Sequence, residues 1–247
     1  MLRALGFFHF RENLEDPFGR LRLELKRKGA GHDISGSLIV LPEAFNLGEP
    51  YYPPGYPKVP GTPGSAKIPL VLALKELREI ARQWSVAFVA GLLGEQYNSA
   101  YWIDHMGMPT RMCHKIGDDR TGHYLPWIGG EDSDGRNPIE CADACVAALI
   151  CLDALECPEE TQPARERREN LIRCVKQCDR PFRILCVPAQ MGSQCGPPEE
   201  DGMYCILANA NAKKSFVKNG CRIEVEPMDQ NRNEICIAPL ARPDSAS

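Results

Sequence analysis

Apolar residues run consecutively in several short stretches: "ALGFFHF" (4 to 10), "GSLIVLPEAF" (36 to 45), "VAFVAGLL" (86 to 93), "ACVAALIC" (144 to 151), "FRILCVPAQ" (182 to 190) and "MYCILANAN" (203 to 211). A strand exposed on one side alternates apolar and polar residues; one apolar at every position is covered on both faces. These runs therefore predict strands inside a layered fold. "YNSAYWID", "PTRMCHKIG", "CRIEVEP" and "EICIAPL" read as further strands, the last two closing the fold.

Between them the period changes to that of a helix. Asp16 and Pro17 supply an N-cap and a first-turn proline, and Phe18, Leu21 and Leu25 follow at helical spacing. Leu70, Leu74, Leu77 and Ile80 mark a second helix. "PARERRENLIRCVKQC" (163 to 178) marks a third, with Leu171, Cys174, Val175 and Cys178 inward and its Arg/Glu run as a solvated face. The Pro/Gly/Tyr-rich stretch 48–64 and the polar, Gly-rich stretch 116–138 read as long loops. Strand and helix alternate early and strands cluster later, which predicts an α/β layered fold with a mixed sheet.

The chain has 247 residues, 43% of them hydrophobic, enough for one sizeable core and too few for two comfortable ones, so residues 1–247 are expected to form a single domain. Its 29 basic and 33 acidic residues leave a net charge of -4, which implies no nucleic-acid face. The N-terminal apolar run is broken by His9 and Arg11, too early for a signal peptide, and no stretch is long enough to span a bilayer. The expectation is a cytoplasmic protein with no membrane partner. Its twelve cysteines then read as reduced thiols rather than a disulfide framework. The pairs Cys141/Cys145 and Cys174/Cys178 have the wrong spacing for zinc, so no metal is expected.

Three chemically capable residues follow apolar strands: Glu43, Lys115 and Cys151. Singly, each reads as an exposed charge or a packing thiol. Together they form a coherent set. A cysteine attacks as a thiolate and needs a base or cation beside it. Glu43 can take its proton, Lys115 can stabilise the thiolate and a later oxyanion, and the backbone N–H of Leu152 can complete an oxyanion hole.

The order and contexts of these residues resemble the nitrilase, or carbon-nitrogen hydrolase, superfamily. The motifs are "LIVLPEAFNLG" around Glu43, "CHKIG" around Lys115 and "ALICLD" around Cys151, supported by "GLLGEQYNSAYWID", "ILCVPAQM" and "YCILANAN". The resemblance spans roughly residues 4 to 226. It implies a four-layer α-β-β-α sandwich, a homodimer, a Glu-Lys-Cys triad, no cofactor and a small amide-like substrate. It also implies a second glutamate between the Lys and the Cys, for which Glu131 in "GGEDSDG" is the candidate and Glu140 the rival. Three features depart from the pattern: Pro158-Glu159 falls one position late, only "GSQCGPPEEDG" separates the two strands after the cysteine, and the closing Gly-x-Ser-type motif near the C-terminus is missing.

The expected function is cysteine-dependent hydrolysis of a small amide or N-carbamoyl compound through a thioester, releasing ammonia or an amine. The short segment 191–202 keeps open a non-catalytic or acyl-transferring member of the same fold, and the cysteine content a metal or redox protein.

Overall fold

The computed structural model describes residues 1–9, 16–47, 68–94, 97–116, 135–154, 162–189, 197–209, 215–227 and 233–240. The Pro/Gly/Tyr-rich stretch 48–64, Glu131 and the first half of the 191–202 segment, 191–196, lie outside them.

The apolar runs become β1 (Ala4–His9), β2 (Ser37–Leu41), β3 (Ala87–Leu93), β4 (Asn98–Ile103) and β5 (Pro109–His114). After these come β6 (Ile139–Glu140), β7 (Ala144–Ala148), β8 (Phe182–Ala189), β9 (Tyr204–Asn209), β10 (Phe216–Asn219), β11 (Arg222–Val225) and β12 (Glu234–Pro239). Among the described residues they form two six-stranded sheets, ordered β12-β1-β2-β3-β4-β5 and β11-β10-β9-β8-β7-β6. Both are mixed: β1, β2 and β3 run parallel, as do β7, β8 and β9, while the remaining pairs are antiparallel.

Strand β2 shows why these runs lack polar alternation. Leu38 and Val40 join Leu5, Phe7 and Val89 in the core that includes the second sheet. Ile39 and Leu41 join Phe8, Phe88, Ala90 and Leu92 in a separate core under helices. Successive side chains point to opposite faces, so a strand covered on both sides is apolar throughout.

The covering helices are α1 (Pro17–Gly29) and α2 (Leu70–Trp84) on the first sheet. Asp16 caps α1, its Oδ1 accepting from the Gly19 N–H at 2.8 Å, and Lys26, Arg27 and Lys28 occupy the last turn, where the helix dipole favours cations. Helix α3 (Gln162–Gln177) packs Leu171, Ile172 and Val175 into the other core. The layers are therefore α-β-β-α, as expected. No helix among the described residues is long and apolar enough to cross a membrane.

Three details differ from the sequence reading. Helix α3 is rotated from its expected face: Cys174 is exposed, and Arg168, assigned to the solvated run, is buried alongside Ile172. A long guanidinium stem packs like an apolar chain, which a charge pattern conceals. Strand β7 ends at Ala148, so Cys151 does not terminate a strand but opens a 3₁₀ turn, Cys151–Ala154. The short strands β6 and β10 carry too few apolar positions to register as periodic runs.

Candidate active site

Strand β2 delivers Glu43. Pro42 has no N–H to continue the ladder, and Ala44 adopts a positive φ of 57°, turning the chain sharply behind the glutamate. Phe45 then anchors the turn, meeting Phe8 and Phe18 edge-on at 5.7 and 5.4 Å. Asn46, fully buried, ties it down: its Nδ2 donates to the carbonyls of Ile68 and Leu93, and its Oδ1 accepts from the Leu93 N–H, each at 2.9 Å. On the other side Gly91 of β3 presses against the Glu43 backbone. Glu43 is thus buried and held from both directions.

Strand β5 delivers Lys115, one residue past its end. The Lys115 N–H donates to the Asn98 carbonyl at 2.9 Å, prolonging the ladder with β4. The Lys115 ammonium donates to Glu43 Oε1 at 2.7 Å, and Asn98 Nδ2 donates to the same oxygen at 2.5 Å.

Strand β7 leads to Cys151. Asn137 brackets its last residue, with Nδ2 donating to the Ala148 carbonyl at 2.7 Å and Oδ1 accepting from the Ala148 N–H at 3.1 Å. The Cys113 thiol donates to that carbonyl at 3.3 Å. Three residues on, Cys151 sits at φ 49°, a left-handed conformation that costs an L-residue free energy and recurs at functional turns. Asp153 closes the turn, its N–H donating to the Ile150 carbonyl at 3.0 Å. Its Oδ2 accepts from the Ile116 N–H at 2.7 Å, which joins the cysteine turn to the chain just after Lys115.

The electrostatics follow from this grouping. Burial pushes the Lys115 ammonium down, but its electrostatic interactions with Cys151, Glu43 and Asp153 and its hydrogen bond to Glu43 outweigh this and hold it well above the ordinary lysine range. It is a permanent cation at neutral pH. Burial pushes other thiols the opposite way: Cys113 up to about 11, and Cys145, Cys205 and Cys236 up to about 12. Those are protonated packing groups, inert as nucleophiles.

Of the residues singled out in the sequence, Glu43 and Lys115 are in contact, Cys151 is near enough to act electrostatically on Lys115, and Leu152 lies in the turn that Cys151 opens. Glu131 lies outside the described residues. Its rival Glu140 is exposed on β6 and pairs with Arg180 at 3.1 Å. Sequence reasoning passed over Asn46, Asn98, Asn137 and Asp153. Three of them stand inside the quoted motifs, as the Asn of "EAFN", the Asn of "YNSA" and the Asp of "CLD". A polar residue at the edge of an apolar run was the available signal.

A family model described as carbon-nitrogen hydrolase matches residues 27–174, a span holding all three residues. The solved structures that the chain resembles include several of the amidase from Nesterenkonia sp. AN1. A cysteine-to-serine mutant, described as from the nitrilase superfamily, is 17% identical with a TM-score of 0.63, over 97% of this chain and 92% of that one. A second mutant carries acrylamide added to its active-site cysteine (17% identity, TM-score 0.60, 98% and 94% coverage). A cysteine-to-alanine mutant is in complex with butyramide (16% identity, TM-score 0.60, 97% and 90% coverage). At these identities the likeness establishes the fold. A search of curated proteins found no match. The family model covers more than half of the sequence, and the chain belongs to the carbon-nitrogen hydrolase family.

Proposed function

We propose that the protein is a cysteine-dependent hydrolase of small amides or N-carbamoyl compounds. The observation that carries this reading is the Lys115–Glu43 contact at 2.7 Å, with the Cys151 sulfur close enough to raise the lysine further. A base, a fixed cation and a thiol share one buried place. Small amides bound to the Nesterenkonia enzyme, acrylamide and butyramide, support the substrate class.

The reaction has two halves. Glu43 accepts the Cys151 thiol proton as sulfur attacks the carbonyl carbon, forming the C–S bond. Lys115 and the Leu152 N–H hold the oxyanion; losing one such donor typically costs about 100- to 1,000-fold in rate. The C–N bond breaks as Glu43 passes its proton to the leaving nitrogen, which departs as ammonia or amine. Water, deprotonated by Glu43, then attacks the thioester, and Cys151 recovers its proton. Glu131 is retained as a supporting carboxylate and the homodimer as the assembly, the latter read by sedimentation. The short segment between β8 and β9 favours a second reading, an idle or acyl-transferring site on the same fold.

The test is intact-mass spectrometry and ammonia release after incubation with a panel of amides, carbamoyl amino acids and nitriles. An adduct on Cys151, absent in Cys151→Ala, with ammonia released, supports the hydrolase. Silence across the panel, or turnover surviving in Cys151→Ala, defeats it.

A further inference from the structure

We propose that Asn98 is a positioning residue that selects Oε2 of Glu43 as the proton-accepting atom; the inference rests on Glu43 acting as the base. Two donors converge on one carboxylate oxygen: Asn98 Nδ2 at 2.5 Å and Lys115 Nζ at 2.7 Å both reach Oε1. A carboxylate oxygen offers about two lone-pair sites, so Oε1 is saturated. Among the described residues no donor reaches Oε2, whose lone pairs stay available for the thiol proton.

Asn98 is built for this task rather than for its own satisfaction. It is 2% exposed, and its Oδ1 is buried with no hydrogen-bond partner among the described residues. A buried acceptor left unmade is costly, and persists where something else fixes the group. Flipping the carboxamide would turn Oδ1 against the Glu43 carboxylate, so Glu43 fixes the orientation. The same residue's backbone carbonyl takes the Lys115 N–H at 2.9 Å. It is also the first residue of β4 and pairs with Leu93, which Asn46 clamps. One residue thereby sets both the basic oxygen and the point where the lysine leaves its strand.

Asn98→Asp and Asn98→Ala test this. The probe is iodoacetamide, with the rate of carbamidomethylation of the Cys151-containing peptide followed by mass spectrometry at neutral pH. Without the asparagine donor the carboxylate is free to turn away from the thiol, so that rate falls about 10-fold in Asn98→Ala. In the isosteric Asn98→Asp a like charge stands against the carboxylate, and the rate falls further. With an amide from the panel, kcat falls about 10- to 100-fold while KM stays near wild type, as the loss of a group acting only on the reacting atoms requires. A merely structural role would lower the melting temperature and leave the folded variants alkylating at the wild-type rate, and that result overturns the proposal. If neither variant folds, the wild-type Asn98 side-chain amide is followed by NMR: resonances identical in wild type and Glu43→Gln overturn it equally. Alkylation should be slow in Glu43→Gln. If it keeps the wild-type rate there, Glu43 is not the base and the hydrolase mechanism itself fails; if it slows there but is unchanged in both Asn98 variants, only the role of Asn98 fails.

Discussion

Gly91→Ala is the perturbation that joins packing to chemistry most directly. A Cβ at this position would lie 2.7 Å from Glu43 Cα, 2.9 Å from Pro188 Cβ and 3.1 Å from the Pro42 carbonyl oxygen. Non-bonded carbons settle at about 3.5–4.0 Å, so the methyl is short by about 0.8 Å against Glu43 and about 0.6 Å against Pro188. Those neighbours belong to different sheets, Glu43 following β2 and Pro188 lying in β8. The new group is therefore a wedge between layers, and relief from one contact tightens the other. Overpacking of this kind costs about 1–3 kcal/mol, and a displacement of about 1 Å in a reacting group costs about 100-fold in rate. Gly6→Ala is the control. Its Cβ would meet the Cys236 carbonyl oxygen at 2.5 Å, at the β1–β12 pair and away from Glu43. Guanidinium unfolding should show losses of about 1–3 kcal/mol in both variants. Turnover of an amide from the panel should collapse only in Gly91→Ala. Equal activity in the two variants would refute the link between this glycine and the placement of the carboxylate.

Other outcomes are equally specific. Replacing Cys151 removes the nucleophile, and because the residue sits at φ 49°, Cys151→Gly should melt higher than Cys151→Ala by the equivalent of about 1 kcal/mol; a more stable alanine variant would mean the turn stores no strain. Asn46→Ala strands the Leu93 N–H and two carbonyls, at about 1–3 kcal/mol per buried group left unmade, with faster hydrogen exchange at Leu93 as the local signature. Lys115→Met leaves Glu43 buried without its cation and should cost about 3 kcal/mol at pH 7. Because the folded-state pKa of Lys115 is raised, its contribution is complete below the unfolded lysine value of about 10.4 and is lost as pH climbs beyond it. Urea titrations should therefore show a constant gap between wild type and variant from pH 7 to about 10 that narrows above it; a gap already closing at pH 8 would contradict the raised value.

Much of this was legible before any coordinates. Strands β2, β3, β8 and β9 announce themselves because both faces of each are covered, and α1 because Asp16 and Pro17 mark its start. Glu43, Lys115 and Cys151 were legible as charged or nucleophilic groups following apolar runs. What stayed hidden were residues whose meaning depends on distant partners. Asn46 matters because Leu93 and Ile68 come within its reach, and Asp153 because the Ile116 N–H does. Nothing in an isolated heptapeptide distinguishes an asparagine that clamps two loops from one in solvent. Arg168 was misread for the same reason: its burial is set by what packs over that face of α3, which the local charge pattern does not record.

The pairing of β1 with β12 has a consequence for how the chain is made. Strand β1 lies inside its sheet, with β2 on one side and β12, the last strand of the described chain, on the other. On the ribosome β1 can find β2 soon after both emerge, but its other edge waits for β12, in which Pro239, the partner of Ala4, lies 235 residues further on (239 − 4). Through that interval Phe7 and Phe8 sit on an open edge, the condition that invites pairing with the wrong chain. The nascent protein is thus most exposed to association between the making of β1 and the making of β12, and β12 acts as the fastener that ends the hazard.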